Sequence, residues 1–597
     1  MSRPSDGPWG TAAMDMGFGC AKVSSGLGTE RGMSNMRRTP VWLSALAALI
    51  LAACSGGRTG GGPPAAPQPS VPPTAAEAAR FLTQASFGAT DDSIAAVRSA
   101  GYAAWVDQQI AMPVSATHVD FITARRALPG APSPSVNELY GSFWQQTATA
   151  PDQLRQRVKL ALSEIFVISV ADPNVNELGA ASFYDMLGAN AFGNFRTLLE
   201  QVTLHPMMGT YLTWIANQKE DLATGRHPDE NYAREVMQLM TIGVRRLNLD
   251  GTPQVDSNGA KVATYSADDI TGLAKVFTGY SWYSPTPTTS TFLGGNRDPN
   301  ASLRSMIPYP AFHSTSAKSF LGVTIPASSI SNPSGDLKTA LDTLFNHPNV
   351  GPFISRQLIQ RLVTSNPSPA YVSRVATVFN NNGKGVRGDM GAVVKAILTD
   401  PDARNTAQAI ADPNYGKVRE PVVRMANWIR AFNAQSKTGG WLLASTSANT
   451  ALSQSVLTSP SVFNFFRPGY SPPATKVGAL GYVAPEFQIV DEVSVAGYLN
   501  TMQSAINAGV GTSSDIVTAY PSETAIASDA NALVERVNLL LLNGQMSQAL
   551  RTRMVDAVNG VTIASNANAA TLAAAQLNRS KLAIYMAMAS PEYLAQR

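Results

Sequence analysis

The feature that most constrains the fold of this chain is the spacing of its apolar residues, which recur three and four positions apart over most of the sequence after residue 74. Residues 91–110 are an example, with Ile94, Val97, Trp105 and Val106 on one side of a helix. This period is typical of amphipathic helices, whereas half-buried strands alternate with a period of two. The same spacing predicts further helices over residues 75–86, 153–169, 191–203, 228–243, 266–280, 336–345, 348–364, 369–380, 390–398, 421–432, 487–508, 531–542, 547–558 and 567–590.

Signals for strands are few. The best region is 244–265, where short β-prone arms flank the turn dipeptides Asp250-Gly251 and Asn258-Gly259, so we expect a hairpin or two there. Stretches rich in Ser, Thr, Gly, Asn and Pro are expected to be surface loops, and they lie at residues 284–311, 435–454 and 509–522. The sequence therefore predicts a mainly α protein, a large irregular α-helical domain with a small β-hairpin region and long surface loops.

The N-terminal region has the pattern of a secretory signal. Residues 36–38 are Met-Arg-Arg, and an apolar run over residues 41–53 follows. A basic stretch, a short apolar run and small residues before a cleavage point are typical of a signal peptide, and the run is short for a transmembrane helix. Residues 51–54, Leu-Ala-Ala-Cys, also resemble the bacterial lipobox, in which Cys54 is lipidated. An ordinary signal peptide or a short anchor are the alternatives.

This pattern divides the chain into three parts. Residues 1–53 are expected to be an N-terminal extension plus the lipoprotein signal peptide, with translation starting at Met1, Met33 or Met36. Residues 54–74 are a Gly/Pro-rich linker, and residues 75–597 are the helical domain. Because a serine follows the lipidated cysteine, resemblance to other lipoproteins favours the outer membrane of a cell envelope.

Composition excludes several classes of protein. With 45 Lys and Arg against 41 Asp and Glu, the net charge of +4 is too small and too dispersed to indicate a nucleic-acid partner. The two cysteines, Cys20 and Cys54, cannot form a disulfide framework or a multi-cysteine metal site. None of the five histidines has helical spacing to another, so no metal site is predicted, and any cofactor remains unknown.

The most informative segment is residues 227–243. At about 100° per residue on a helix, Glu230, Arg234 and Thr241 share one face, and Asn231 and Gln238 lie beside them. A surface helix with a Glu–Arg ion pair would explain this face. A helix that lines a cleft, or a buried polar network between two helical layers, would explain it as well.

Several segments together resemble the DUF1800 family, a group of secreted bacterial proteins that is uncharacterised. They are residues 80–82 (Arg-Phe-Leu), 85–88 (Ala-Ser-Phe-Gly), 191–196 (Ala-Phe-Gly-Asn-Phe-Arg), 229–235 (Asp-Glu-Asn-Tyr-Ala-Arg-Glu), 276–280 (Val-Phe-Thr-Gly-Tyr), 313–322 and 417–421. The resemblance covers residues 75–597. Gln238 stands where the family frequently has a second Glu, which weakens a multi-carboxylate metal centre on this helix.

Two functions follow from these observations. The first is a lipid-anchored cell-envelope protein that binds or assembles with a secreted partner. The resemblance implies a DUF1501-like partner protein, since the two families often appear together. The alternative is an envelope hydrolase acting on extracellular polymer. Whether the chain is an enzyme is left open, because no nucleophile and base can be assembled from the sequence.

The hydrolase hypothesis names five candidate catalytic residues, expected around one cleft: Glu230, Arg234, Glu235, His313 and Lys318. His313 near Lys318 is a candidate base or ligand, although a loop histidine that caps a helix is equally compatible. Weaker binding candidates are Asn231, Gln238, Lys417 and Glu420. His205 and His347 are interpreted as helix caps. The aromatic cluster at residues 463–468 is expected to pack against the body, with a sugar-stacking surface as the alternative.

Overall fold

The computed structural model describes residues 71–130 and 133–597. Most of the described residues are helical, which confirms the mainly α class. The predictions made for residues 1–53 and for Cys54 lie outside the described residues, as does most of the linker.

Within the described residues most α-helices follow one another closely, and the longest connections precede α11, α13 and α20. They are α1 (Ala75–Ala85), α2 (Asp91–Ala100), α3 (Tyr102–Ala111), α4 (His118–Arg126), α5 (Asn137–Thr149), α6 (Gln153–Ser163), α7 (Glu177–Ala189), α8 (Phe195–Leu204), α9 (Pro206–Tyr211), α10 (Asn231–Glu235), α11 (Ala267–Val276), α12 (Thr289–Phe292), α13 (Pro333–Asn346), α14 (Val350–Leu362), α15 (Pro369–Asn380), α16 (Met390–Thr399), α17 (Pro401–Arg404), α18 (Thr406–Ala411), α19 (Pro421–Ala431), α20 (Lys476–Ala479), α21 (Glu492–Ala508), α22 (Pro521–Thr524), α23 (Ala530–Leu542), α24 (Gln548–Gly560), α25 (Ala569–Ala589) and α26 (Pro591–Leu594). A π-helical turn, Val236–Thr241, follows α10 directly.

The strands are short and form four antiparallel pairs. β1 (Tyr280–Ser281) pairs with β2 (Ile307–Pro308), β3 (Lys318–Phe320) with β4 (Val323–Ile325), β5 (Lys417–Val418) with β8 (Ala595–Gln596), and β6 (Gln435–Ser436) with β7 (Ile516–Val517). The predicted hairpin region, 244–265, contains the expected turns, but its arms pair only through isolated bridges that join Arg245 to Ala263, Leu247 to Pro253 and Val255 to Lys261.

The predicted helix over residues 91–110 is broken in the structure at Gly101. This glycine has φ +77°, a left-handed conformation that ends α2 and lets α3 begin at the next residue. The periodicity runs across the break because both helices turn their apolar residues to the same core, for example Val97 and Val106, which are fully buried. Apolar spacing alone therefore did not reveal the interruption.

The core is built around α6, in which every residue from Gln153 to Ser163 is buried. It packs against α3, α7 and α14. A helix enclosed on all sides must find internal partners for its polar side chains, because a buried polar group without a partner is costly. Helix α6 nevertheless contains Arg155, Arg157 and Lys159. These residues explain why buried ion pairs and hydrogen bonds occur at the centre of the molecule.

In the part of the chain that is described, no helix has both the length and the apolar character needed to cross a membrane.

Candidate functional site

The helix predicted over residues 228–243 consists of two kinds of helix. The α-helical turn Asn231–Glu235 is followed by the π-helical turn Val236–Thr241. In this wider turn Ile242 donates its backbone N–H to the carbonyl oxygen of Met237, five positions earlier, at 3.1 Å. π-Helical turns are rare and are frequent at functional sites. The wider turn changes the directions of the side chains, so the continuous polar face expected from α-helical geometry is interrupted.

Glu230 and Arg234 form an exposed ion pair. Nη2 of Arg234 lies 3.3 Å from Oε2 of Glu230, and the two side chains are 46% and 38% exposed, respectively. Oε1 of Glu230 also accepts a hydrogen bond of 2.7 Å from the hydroxyl of Thr271 on α11. Exposed pairs of this kind typically contribute about 0–1 kcal/mol to stability. The surface-pair interpretation therefore describes the geometry of these two residues.

The other polar residues of the segment have separate surroundings. Glu235 is 7% exposed, burial raises the pKa of its carboxyl group, and its Oε2 has no hydrogen-bond partner among the described residues. Asn231 donates from Nδ2 to the hydroxyl of Thr213 at 3.3 Å. Gln238 accepts a long hydrogen bond of 3.4 Å from the hydroxyl of Tyr265. Of these three, Gln238 also lines the cavity described below.

His313 and Lys318 lie in a buried cluster around Asp336. Nε2 of His313 is 3.0 Å and Nζ of Lys318 is 2.9 Å from Oδ2 of Asp336. Nδ1 of His313 is 2.7 Å from the carbonyl oxygen of Thr278, which can only accept. Both ring nitrogens thus face acceptor oxygens. The cluster crosslinks the segment around β3 to helix α13.

The structure thus divides the five candidate catalytic residues into separate groups. His313 and Lys318 pair with Asp336 in the interior, whereas Glu230 and Arg234 pair with each other at the surface. Helix α11 contacts both α10 and β3. Within residues 71–130 and 133–597, no hydrogen bond or ion pair joins the two groups directly.

Lys417 and Glu420 belong to a group of charged side chains in the interior, which we call the buried charge cluster. Its members are Arg157, Glu164, Arg361, Lys417, Glu420 and Glu486, each at most 5% exposed. Nζ of Lys417 lies 3.0 Å from Oε1 of Glu486 and 3.5 Å from Oε1 of Glu420. Nε of Arg361 is 3.4 Å from Oε2 of Glu164. Three cations and three carboxyl groups thus meet in one enclosed region.

Local structure explains the position of Glu420. It is the N-cap residue of α19, with Pro421 at the first helical position. The positive end of the helix dipole favours a carboxylate at this point. Gln454 holds that carboxylate by donating from Nε2 to its Oε2 at 2.9 Å, while the Gln454 side-chain oxygen accepts from the backbone N–H of Val422 at 3.2 Å.

The carboxyl groups of Glu164 and Glu420 titrate differently. Burial and the neighbouring Glu420 raise the pKa of Glu164 well above its ordinary value. Burial alone would raise the pKa of Glu420 too, but Lys417, a hydrogen bond from Glu164 and the nearby Arg157 outweigh it and lower that pKa. Burial and the neighbouring carboxylate thus favour the neutral form of Glu164, whereas the nearby cations favour the ionised form of Glu420. Among the described residues, no group of three or more His, Cys, Asp or Glu is placed to hold a metal ion.

A cavity of about 490 Å³ adjoins the buried charge cluster, and Glu164 and Arg361 line it. Its volume falls within the roughly 300–1,000 Å³ of small-molecule sites. Residues 164–165, 238–253, 353–361 and 462–469 contribute to the lining. Apolar side chains predominate in this lining and include Ile165, Leu239, Val244, Leu247, Phe353, Val462 and Phe463.

Helix α14 supplies one complete face to the cavity. Phe353, Arg356, Gln357, Gln360 and Arg361 all line it, and they are spaced three or four positions apart or adjacent on the same side of the helix. Phe353 and Arg356 are half-buried, whereas the last three residues are buried. This helix therefore joins the open part of the cavity to the buried charge cluster.

Two buried amides fix the loops at the edge of the cavity. Nδ2 of Asn349 donates to the carbonyl oxygens of Ile242 and Arg245 at 2.8 and 2.7 Å, which fixes the chain after the π-helical turn. Nε2 of Gln360 donates to the carbonyl oxygens of Ser365 and Pro468, at 2.9 and 3.2 Å. Side chains of α14 and of the residue preceding it therefore hold both loops without a ligand.

The aromatic segment 463–468 has two roles in the structure. Phe466 is 3% exposed and belongs to the apolar interior, as expected for a segment that packs against the body. Phe463 lines the cavity instead, with the guanidinium carbon of Arg467 4.7 Å from the centre of its ring. An aromatic surface at the cavity is thus present, as the alternative interpretation of this segment required.

Sequence reasoning missed Glu164, Arg356 and Arg361. A signal for the first was available, because Glu164 directly follows a helix whose apolar run contains three basic residues. Polar residues in such a run indicate internal partners. For the two arginines the signal was a row of arginine and glutamine side chains on one face of an apolar helix. Their proximity to Glu164 depends on contacts between segments that are distant in the sequence.

Comparison with known proteins identifies the family. The model of the family described as "Protein of unknown function (DUF1800)" matches residues 80–595. No curated protein matches the chain, and no solved structure does.

Proposed function

The chain is a member of the DUF1800 family, and from this premise we propose that it is a lipid-anchored binding protein of the cell envelope. Its ligand has an apolar body and occupies the cavity beside the buried charge cluster. The observation that carries the proposal is the cavity itself, about 490 Å³ in volume and lined mostly by apolar side chains.

The lining favours an apolar body in the ligand. Phe353, Phe463, Leu239 and Val462 present carbon surface, and the amides of Gln238 and Gln357 lie beside them. Each Å² of apolar surface removed from water contributes about 25 cal/mol. A ligand that fills such a cavity therefore gains affinity mainly from its carbon skeleton, and a small number of polar contacts sets its orientation.

The fixed loops favour binding further. The hydrogen bonds of Asn349 and Gln360 fix the two loops at the edge of the cavity. Ordering a loop during binding costs free energy that is then lost from the affinity. A cavity whose loops are already held by buried amides avoids most of this cost.

Binding of N-phenyl-1-naphthylamine, a neutral apolar dye that fluoresces when it leaves water, tests the proposal. Gly469 lines the cavity, and a Cβ there would meet nothing within 4 Å, so Gly469→Trp adds a large side chain without a backbone clash. Gly560→Trp is the matched control, since Gly560 also has open space and does not line the cavity.

We expect saturable dye fluorescence with the unmodified protein and with Gly560→Trp, and weaker binding with Gly469→Trp. Thermal melting of both variants verifies that they are folded. Absence of saturable binding, or equal loss in both folded variants, would refute the cavity as the binding site.

Anchoring through Cys54 is the second part of the proposal, and it rests on the sequence of residues 36–54. Acyl chains on a cysteine contribute about 0.8 kcal/mol per buried CH₂, so multiple chains keep a protein on a membrane. The full chain should take up labelled palmitate and sediment with membranes, and Cys54→Ala should lose the label. Equal labelling of both proteins would contradict the anchor.

A secreted DUF1501-like protein is the proposed partner. When the two proteins are produced in the same envelope, we expect the anchored chain to retain the partner at the membrane. When Cys54→Ala releases the chain from the membrane, the partner should no longer be bound to the membrane. Partner retention that is independent of the chain would contradict the assembly role.

The alternative function, an envelope hydrolase acting on extracellular polymer, is favoured by one observation. Glu164 lines the cavity, burial and the neighbouring Glu420 raise its pKa, and carboxylic acids with a raised pKa serve as proton donors in hydrolysis. Incubation of soluble polysaccharides with the protein and with Glu164→Gln tests this role. Release of fragments by the unmodified protein alone would support hydrolysis, and release by neither would exclude it for those polymers.

A further inference from the structure

Arginine side chains surround the cavity without matching carboxylates. Arg245, Arg356, Arg361 and Arg467 line it, and Glu164 is the carboxyl group in the same lining. Four guanidinium groups thus face one carboxyl group, and burial and the neighbouring Glu420 raise the pKa of that group well above its ordinary value. The lining is therefore cationic overall.

Arg361 is already engaged, since it contacts Glu164 and donates to the backbone carbonyl oxygen of that residue at 2.8 Å. Arg245 donates from Nη1 to a backbone carbonyl oxygen, that of Lys261, at 3.1 Å. Arg467 lies against the ring of Phe463. Neither Arg245 nor Arg467 forms an ion pair with any described residue.

Arg356 differs from these arginines because its side chain has no polar partner among the described residues. It is half-buried, and it makes neither a hydrogen bond nor an ion pair with any residue that the structure describes. It also lines a second cavity, of about 370 Å³, together with Asp402. Asp402 is already bound by Arg374 at 3.0 Å and by the hydroxyl of Ser368 at 2.5 Å.

An unpaired guanidinium in a cavity is suited to an anion. Its planar N–H groups match a carboxylate or a phosphate with two parallel hydrogen bonds. Burial makes the missing partner costly, because water solvates the charge only in part. The adjacent apolar wall, which includes Phe353 one turn before Arg356, fits a carbon chain.

We infer that the cavity takes an amphiphilic anion, with a carbon chain along the apolar wall and its carboxylate or phosphate on Arg356. This inference rests on the proposed function and adds the chemical class of the ligand. Arg467 and Arg245, which are exposed lining residues, attract the anion toward the cavity from outside.

Three ligands with the same alkyl chain test the inference: laurate, dodecyl phosphate and dodecanol. Each is titrated into the full chain by displacement of N-phenyl-1-naphthylamine. The variants are Arg356→Gln, which removes the charge, and Arg356→Lys, which keeps it. Arg246→Gln is the control, because Arg246 is an exposed neighbouring arginine that does not line the cavity.

We expect at least one of the two anions to bind about tenfold or more tightly than dodecanol. The tighter of the two identifies the head group as carboxylate or phosphate. Arg356→Gln should remove this preference while dodecanol binding stays within about twofold, Arg356→Lys should retain part of it, and Arg246→Gln should retain all of it.

Equal affinity of the unmodified protein for dodecanol and both anions would overturn the inference and leave the apolar binding cavity intact. A preference that survives in Arg356→Gln would also overturn it. Displacement by none of the three ligands from a protein that binds the dye would refute the ligand class, whereas failure of the dye itself to bind refutes the proposed function.

Discussion

The carboxyl groups of Glu164 and Glu420 are neighbours in the interior, yet their pKa values are displaced in opposite directions. The pKa of Glu164 is raised because the site is buried and the adjacent carboxylate repels a second negative charge. Glu420 loses its proton because Lys417 and Arg157 stabilise the ionised form. The two positions therefore favour different protonation states.

Substitution by glutamine distinguishes the two positions. Glu164→Gln replaces a carboxyl group whose raised pKa favours the neutral form by a neutral amide of similar shape, and we expect it to cost about 1 kcal/mol or less. Glu420→Gln removes the charge that faces Lys417 and Arg157, and we expect a loss of about 3–5 kcal/mol. Urea denaturation at pH 7 measures both values. A larger loss for Glu164→Gln would contradict the assignment.

His205 makes the fold sensitive to acid. Its Nδ1 accepts a hydrogen bond from the backbone N–H of Met207, and burial lowers its pKa from 6.5 to about 3. Between these two values the unfolded chain binds a proton that the folded chain does not. This group therefore lowers the free energy of unfolding as the pH falls from 6.5 toward 3, by up to about 1.4 kcal/mol per pH unit.

His205→Asn keeps an N-cap acceptor and removes the titrating ring. Denaturation at several pH values between 7 and 4 should therefore show that the free energy of unfolding of this variant falls less steeply with decreasing pH. The same decline in both proteins would show that His205 does not carry the effect.

Helix α13 offers a comparison of a buried and an exposed aspartate. Asp336 contacts His313 and Lys318 with its side chain 10% exposed, whereas Asp342 contacts Lys338 with its side chain 37% exposed. Asp336→Asn removes the carboxylate that faces the buried ammonium group of Lys318 and should cost about 3 kcal/mol or more. Asp342→Asn should cost about 1 kcal/mol or less. If chemical denaturation gave similar losses of unfolding free energy for the two variants, the buried cluster around Asp336 would not be a structural crosslink.

The exposed pair of Glu230 and Arg234 should contribute little to the stability of the fold. We expect Glu230→Gln and Arg234→Ala each to lower stability by no more than about 1 kcal/mol, since both side chains are well hydrated. Thermal melts measure the stability of each variant, and the amount of secreted partner recovered with each variant is measured in parallel. Native-like melting with unchanged partner recovery removes both residues from the candidate site, whereas native-like melting with lost recovery would assign them a binding role.

Much of the fold could be predicted from apolar spacing, because each helix must bury one face. The spacing could not locate Gly101, since the helices on either side bury their apolar residues in one core. It could not reveal the π-helical turn Val236–Thr241 either. That turn depends on backbone hydrogen bonds rather than on a pattern of residue types, and the prediction of one polar face over residues 227–243 failed for this reason.

The candidate site was predicted only in part. Gln238 lines the cavity, and Lys417 and Glu420 lie in the buried charge cluster beside it. Their common location could not be derived, because Glu164 and Glu420 approach each other from segments far apart in the sequence. Such contacts depend on how helices pack, and the apolar period of one helix contains no information about its neighbours.

The central claim is that a ligand with an apolar body occupies the cavity lined by α14, the π-helical turn and residues 462–469. Photocrosslinking measures this most directly, with an alkyl probe that carries a diazirine group and with peptide mass spectrometry to locate the attached residues. The account predicts labelled peptides that contain residues 238–253, 353–361 and 462–469, with labelling reduced in Gly469→Trp and retained in Gly560→Trp. Labelling confined to other parts of the chain, or unaffected by Gly469→Trp, would contradict it.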